Sequence, residues 1–313
     1  MNDQSEQPNP VHLSALRAKL QCQVIGTGDE EYEVARRVWN GMIDRKPAVI
    51  VRPASIADVM RAVRVAREFH LPVSVRGGGH SVSGKSVADD VMMIDLSLMN
   101  GVQVNASAHS AVVQGGAKWG EFDRECERYQ LATTGGVISS TGVGGLTLGG
   151  GIGWLMGKHG LSCDNLVSAD LVSADGSHIT VSELQNEDLF WAIRGGGGNF
   201  GIVTALEFRV HPLQSVHGGL LLYPRNSAVD LLRRYRDVTV DAPDELTAYA
   251  ALMVGNGQPI AAIAMCDSGS GAGSAAIRGQ FCLAVPPAVD LTGEKRYTEI
   301  QTMLDFEIGR AHV

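Results

Sequence analysis

The sequence predicts an α+β fold, and three observations carry that expectation. Residues 48–76 read as a β-α-β unit, short strands follow it, and glycine gathers where regular structure stops. Residues 48–51 form an apolar strand ending at Arg52-Pro53. Ser55 is placed as an N-cap, with Ile56, Val59, Met60, Val63 and Ala66 following at helical spacing. Residues 72–76 return as a strand and run directly into Gly77-Gly78-Gly79-His80. Further strands are expected at 91–96, 102–105, 111–114, 166–173 and 201–210, with helices at 118–129 and 188–194. The glycine-dense stretch 135–160 cannot be regular throughout. Upstream, 1–10 is polar and expected to be disordered, and 11–42 reads as a mostly helical N-terminal segment interrupted at Gly26–Gly28. After His211-Pro212 the texture changes to strands at 218–223 and 247–266 around a helix near 227–237, which sets a domain boundary near 213.

Composition narrows the function classes. Hydrophobic residues make up 44% and charged residues 19%, a globular balance that excludes disorder and coiled coil as the main theme. Net charge is −8 and nothing basic is concentrated, so no nucleic-acid partner is expected. The five cysteines show no C-x-x-C, and the histidines no H-x-x-x-H or H-x-H, so neither a zinc site nor a disulfide framework is indicated. No secretory h-region or long apolar run is visible, which makes a cytoplasmic protein without a membrane span the expectation. There are 38 glycines, with eleven in 135–160, five in 195–201 and four in 77–84. Clustering of this kind suggests one large ligand held by main chain.

Two of the glycine motifs imitate nucleotide signatures. The segment 79–86 matches G-x-x-x-x-G-K-[ST] letter for letter. A phosphate loop must open a helix at its Lys-Ser pair, whereas here Lys85-Ser86 leads into the strand at 91–96, so a P-loop NTPase is the weak alternative. The formal G-x-G-x-x-G at 196–201 follows a helix and opens a strand, the reverse of the dinucleotide order. The third stretch, 142–153, interleaves Val, Leu and Ile with glycine, which suits a buried loop with N–H groups aimed at a ligand better than a solvated linker.

Three runs in order, VRGGGHSVSG, STGVGGLTLGGGIGWLMGKHGLSCDNLVSADLVSADG and DLFWAIRGGGGNFGIVTALEFRVHPL, resemble the FAD-binding domain of the vanillyl-alcohol oxidase/p-cresol methylhydroxylase (PCMH) superfamily, and within it the berberine-bridge-like and 6-hydroxynicotine-oxidase type. The resemblance implies a two-lobed PCMH-type FAD-binding domain over 43–213, then a partial antiparallel-sheet substrate domain over 214–306. It implies that Arg76, Gly77, Gly78, Gly79, His80 and Ser81 hold the FAD pyrophosphate. Adenosine and ribityl parts would be lined by Gly142, Gly144, Gly145, Gly149, Gly150, Gly151 and Gly153, by Leu161, Asp164 and Asn165, and by Gly198, Asn199, Gly201, Ile202 and Val203. His80 would be bonded to the flavin 8α-methyl, as a largely neutral imidazole can be at pH 7. Doubly linked members carry a cysteine just before the V-G-V-G-G-like part of the second run; 137–141 occupies that place and has none, so a single covalent link is expected. Cys163 is expected to pack as a small hydrophobe, and Trp154 and Trp191 to anchor the loops. The implied reaction is hydride transfer from a C–H of a small alcohol, amine or sugar to covalent flavin, with O2 as acceptor; a non-catalytic flavin-binding fragment is the alternative.

The family's Tyr/Asn-rich closing motif is not found, and no catalytic base is assigned. The final EIGRAHV at 307–313 spells what a common sequencing adapter encodes in one frame. Those residues are therefore expected not to belong to the protein, and the reading frame to have been cut near Phe306.

Overall fold

Short apolar runs build the first lobe. In the computed structural model, which describes residues 13–255, 257–269 and 292–299 with positions 275, 287, 289 and 290, Val49, Ile50 and Val51 are fully buried on a central strand. The expectations for 1–10 and 307–313 lie outside the described residues. After α1 (Leu13–Lys19), strand β1 (Gln23–Gly26) and the short helix α2 (Tyr32–Ala35) precede β2 (Val49–Arg52). Helix α3 (Ile56–Glu68) then leads to β3 (Val73–Arg76), and β4 (Met92–Asp95) completes a sheet of order β1-β2-β4-β3. β4 lies parallel between β2 and β3, and β1 pairs antiparallel with β2. Ser55 Oγ accepts the Asp58 amide at 3.2 Å, the N-cap expected from sequence. The apolar stripe of α3 covers one face of the sheet through Val59, Ala62, Val63 and Ala66, against Val49, Val51, Met92 and Ile94. The alternate residues Ile25, Ile50 and Met93 face Tyr32, Ala35 and Val87 on the other side.

The N-terminal segment therefore departs from the helical expectation. Gln23-Val24-Ile25 supplies β-branched residues beside the open edge of β2, and ladder bonds outweigh the helical pattern around them. Tyr32 Oη, on α2, also donates to the Pro47 carbonyl just before β2 at 2.7 Å.

The second lobe is an antiparallel sheet. Strands β5 (Val102–Asn105) and β6 (Ser110–Gln114) are followed by α4 (Trp119–Glu127), β7 (Leu131–Ala132), α5 (Val143–Leu148) and α6 (Met156–His159). Then come β8 (Leu166–Val172), β9 (His178–Ser182), α7 (Glu187–Ile193), β10 (Ile202–Arg209) and β11 (His211–Pro212). The order is β5-β6-β10-β8-β9, and β7 pairs separately with β11. Trp119, Phe122 and Phe208 meet at 5.4–5.8 Å in its core, in edge and tilted contacts. Val172 and Ile202, at the ends of their strands, reach into the first lobe's core and join the lobes.

The remaining strands are β12 (Val216–Pro224), β13 (Leu246–Gly255), β14 (Gln258–Asp267), β15 (Val289–Asp290) and β16 (Gly293–Lys295), with α8 (Ala228–Thr239) against them. They form an antiparallel sheet of order β13-β14-β12-β15, with β16 also on β12. The single span expected at 247–266 is a hairpin, turned near Gly257 at φ +73°. Trp154, Leu155, Val216, Cys266 and Tyr297 pack this sheet onto the glycine-rich segment. Among the described residues no helix is long and apolar enough to cross a membrane.

Candidate functional site

The glycine windows converge. The loop after β3 touches the loop before α5 backbone to backbone: a Cβ on Gly78 would fall inside the van der Waals radii of Gly142 Cα and N, and one on Gly142 would collide with Gly78 N. Both positions need glycine for mutual approach of main chains rather than for torsional freedom. Further along, the Ser162 and Cys163 amides donate to the Gly151 and Gly150 carbonyls, both at 2.9 Å, and the Gly195 amide donates to the Leu148 carbonyl at 3.0 Å. The segments 77–81, 142–153, 160–165 and 195–203 are thus one connected surface.

The structure sorts the residues singled out in the sequence. Gly78, Gly142, Gly151, Gly153 and Gly201 lie against neighbouring protein atoms, whereas Gly145 and Gly198 have open space where a Cβ would stand. Gly77 and Gly144 both face the Gly115 carbonyl. Gly149 and Gly150 are uncrowded, and Gly79 and Gly150 have φ of +71° and +109°. Ile202 and Val203 turn their side chains into the two cores, so only their main chain can face a ligand. Asn165 is buried and fully used: Nδ2 donates to the His159 and Leu161 carbonyls at 2.9 Å, and Oδ1 pairs with His211 Nε2 at 2.8 Å. Asp164 accepts the Leu161 amide at 2.8 Å, and Asn199 donates to the Gly196 carbonyl at 2.8 Å, so each shapes its own turn. Ser81 Oγ pairs with Ser83 Oγ at 3.1 Å.

Arg76 sends its side chain away from the loop. Its Nε and Nη2 donate to Asp95 at 3.1 and 2.5 Å, and Nη1 donates to the Arg37 carbonyl at 2.8 Å. Arg52 reaches the same carboxylate at 2.8 Å. Burial pushes the fully enclosed Asp95 carboxyl up, but the bonds from Arg76 and Arg52 outweigh it and hold the carboxyl below its ordinary range. This triad fixes the end of β3, from which the loop departs. Beyond it, the amides of Gly78, Gly79, His80 and Ser81 donate to no protein acceptor among the described residues. The amides of Gly144 and Gly145, in the first turn of α5, have no intrahelical acceptor either. Successive unpaired N–H groups beside glycine suit an anionic ligand such as a pyrophosphate. The donor set therefore fits FAD.

His80 is held on two sides. Trp39 stacks on its ring with centroids 4.8 Å apart and 21° between planes, and Ser140 Oγ lies 3.0 Å from Nε2. Burial, assisted by the charge on Lys118, pushes the imidazole down to about 4, so it is neutral across the physiological range. Sequence reading gives neither Trp39 nor Ser140 a role: Ser140 opens the second glycine-rich run but is not singled out within it, and Trp39 is far from His80 in sequence.

A second histidine contact escaped sequence reading. His159 and His211 stack at 3.8 Å with 7° between rings, bringing together residues far apart in the chain. Burial and the neighbouring His159 push His211 down to about 4 as well. The unfolded chain takes up these protons near 6.5, the ordinary imidazole value, while the folded chain refuses them until about 4. Stability from both groups is therefore full above pH 6.5 and is lost as pH falls toward 4. Thermal unfolding from about pH 7 to about pH 5 should show a falling Tm, with a shallower slope in His211→Gln; a flat wild-type profile would contradict this.

Trp191 corrects an expectation. On α7, Phe190 and Ile193 turn inward and Trp191, one position round the helix, is 74% exposed and faces mostly solvent, whereas Trp154 is buried. Cys163 is buried as expected. No helix opens at Lys85-Ser86, where turns lead to β4, and the strand β10 follows 196–201 directly. Among the described residues no group of three or more His, Cys, Asp or Glu is placed to hold a metal.

Comparison with known proteins agrees with this geometry. Residues 47–182 match the FAD binding domain family. An FAD-linked oxidoreductase of Dictyostelium discoideum is 36% identical over 233 residues, 73% of this chain and 51% of that protein. The (R)-6-hydroxynicotine oxidase of Paenarthrobacter nicotinovorans is 37% identical over 199 residues, 64% of this chain and 43% of that protein. The crystal structure of 6-hydroxy-D-nicotine oxidase from Arthrobacter nicotinovorans superposes with a TM-score of 0.87 at 29% identity, covering 93% of this chain and 65% of that one. Fold and loops thus define a flavoprotein whose cofactor is FAD. Residues 47–182 are an FAD binding domain, and the fold is also similar to that of a BBE-like protein of Physcomitrella patens, with a TM-score of 0.82 at 27% identity, covering 90% of this chain and 62% of that one. It spans about half the length of the curated relatives it matches.

Proposed function

We propose that the protein is an FAD-linked oxidase that takes a hydride from a C–H of a small alcohol, amine or sugar, with flavin bonded through His80 alone and O2 as electron acceptor. The observation that carries this is the neutral, clamped His80 within a run of unpaired amides. FAD supplies two-electron acceptor chemistry when bound. The chain supplies position. Amides from Gly78 to Ser81 bind the pyrophosphate, the open glycines at 145, 149, 150 and 198 admit the adenosine and ribityl parts, and His80 keeps a nitrogen lone pair available. We read 43–213 as the FAD domain and 214–306 as part of the substrate domain. Free Cys22, Cys126, Cys163 and Cys266 support a reducing, cytoplasmic setting.

One relative is a 6-hydroxynicotine oxidase, which puts cyclic amines first among substrates to try. The test is peroxide release in air from a panel of amines, alcohols and sugars, with anaerobic bleaching of the flavin absorbance as the second readout. Bleaching with peroxide on re-aeration supports the oxidase. Bleaching without peroxide replaces O2 by another acceptor. A covalent, unbleachable flavin with every compound would favour the non-catalytic flavin-binding reading.

A further inference from the structure

We propose that Ser140 is a positioning residue for flavin attachment, fixing which way round the His80 imidazole stands and where its proton sits. This rests on the attachment reading above. The stack on Trp39 defines the plane of the ring, but a half-turn about its Cβ–Cγ axis leaves that plane unchanged. The bond between Ser140 Oγ and Nε2, 3.0 Å, is not blind to that flip, because a flipped ring would present a carbon to the hydroxyl. With Nε2 engaged, Nδ1 is the nitrogen left to form a bond. A lone pair on Nδ1 requires the proton on Nε2, and Ser140 Oγ accepts that N–H.

Ser140 can do this because its own position is imposed. The Ser139 carbonyl accepts the Gly120 amide at 2.8 Å, and the Thr141 carbonyl accepts the Trp119 amide at 2.9 Å. Both donors lie in the first turn of α4, whose preceding residue, Lys118, bridges to Gly142 and lends its charge to keeping His80 neutral. The hydroxyl is thus carried on a strap pinned to a helix start, facing a ring pinned by Trp39. Attachment exchanges an imidazole N–H and one C–H of the flavin 8α-methyl for a C–N bond. The two protons and two electrons pass to O2 as hydrogen peroxide, so the protein needs the ring delivered in one orientation and one tautomer.

The test uses the purified protein, prepared flavin-free, with Ser140→Ala and Ser140→Thr. Acid-stable flavin is followed over time after adding FAD in air, non-covalent affinity is read by quenching of FAD fluorescence, and the His80 tautomer is read by 15N NMR before FAD is added. The expected result is a single tautomer in wild type and a mixture in Ser140→Ala. Attachment should slow about tenfold in Ser140→Ala, the rate equivalent of one net hydrogen bond, with affinity unchanged and the rate recovered in Ser140→Thr. Equal tautomer populations in wild type and Ser140→Ala, or equal attachment rates, would overturn the proposal. So would a loss of affinity matching the loss of rate, which would make Ser140 part of the cradle instead. Wild type that shows one Ser140-dependent tautomer but never gains acid-stable flavin would sink the attachment reading while leaving the ring-setting contact in place.

Discussion

Replacing His80 with alanine is expected to abolish acid-stable flavin while leaving a releasable FAD in the cradle. The amides of Gly78 and Gly79 and the first-turn amides of α5 are main-chain groups that the substitution does not touch. What disappears is the only imidazole on this loop, together with its stack on Trp39 and its bond to Ser140. An aromatic contact of this kind contributes ~0.5–1.5 kcal/mol, too little to unfold the lobe. Acid precipitation should therefore leave wild-type pellets fluorescent and His80→Ala pellets dark, with equal flavin in solution before acid. Dark wild-type pellets would contradict the expectation, and so would fluorescent His80→Ala pellets.

The second large effect is expected at Asp95. Its carboxylate is fully enclosed and is the common acceptor for Arg52, Arg76 and the Ser97 amide. In Asp95→Ala the buried Arg76 keeps only the Arg37 carbonyl as a partner. Breaking a buried ion pair from one side typically costs ~3–5 kcal/mol, because the remaining charge stays desolvated. At ~2–4 °C per kcal/mol for a domain of this size, Tm should drop by roughly 10 °C. Since Arg76 precedes the cofactor loop, flavin loading should fall too. The pair Arg76→Met/Asp95→Leu removes both charges and should recover part of the lost Tm; a double variant worse than the sum of the singles would contradict a desolvation cause. Because the Asp95 carboxyl is held low, its stabilisation is present above the ordinary carboxylate range and is lost as pH falls below it.

Sequence made the site legible where local chemistry decides the conformation. The β2-α3-β3 unit could be read from a Ser N-cap, a helical apolar stripe and flanking strands, all within one stretch of chain. The order of the glycine runs was enough to refuse the two nucleotide look-alikes, since a helix must follow a phosphate loop and none opens at Lys85. Legibility failed where a partner lies far along the chain. Nothing local distinguishes Gln23–Gly26 from the helical residues around it; the free edge of β2 does. Gly78 and Gly142 look like ligand-facing glycines, yet each is small because the other's backbone is there. The His159–His211 stack and the Trp39–His80–Ser140 clamp are likewise products of tertiary folding and have no spacing signature. Trp191 shows the converse: a large aromatic in a motif invites a packing role, and only its place on α7 reveals that it points to solvent.

The central claim, that the glycine surfaces form one FAD cradle with His80 as its covalent anchor, is tested most directly by peptide mapping of the flavin-loaded protein after acid denaturation. Trypsin should cut after Arg76 and Lys85 and release 77–85, which contains His80 as its only imidazole. The expected result is that this peptide carries the mass of FAD less two hydrogens and absorbs in the flavin band. Recovery of 77–85 unmodified, with the flavin free in solution or on another peptide, would contradict it.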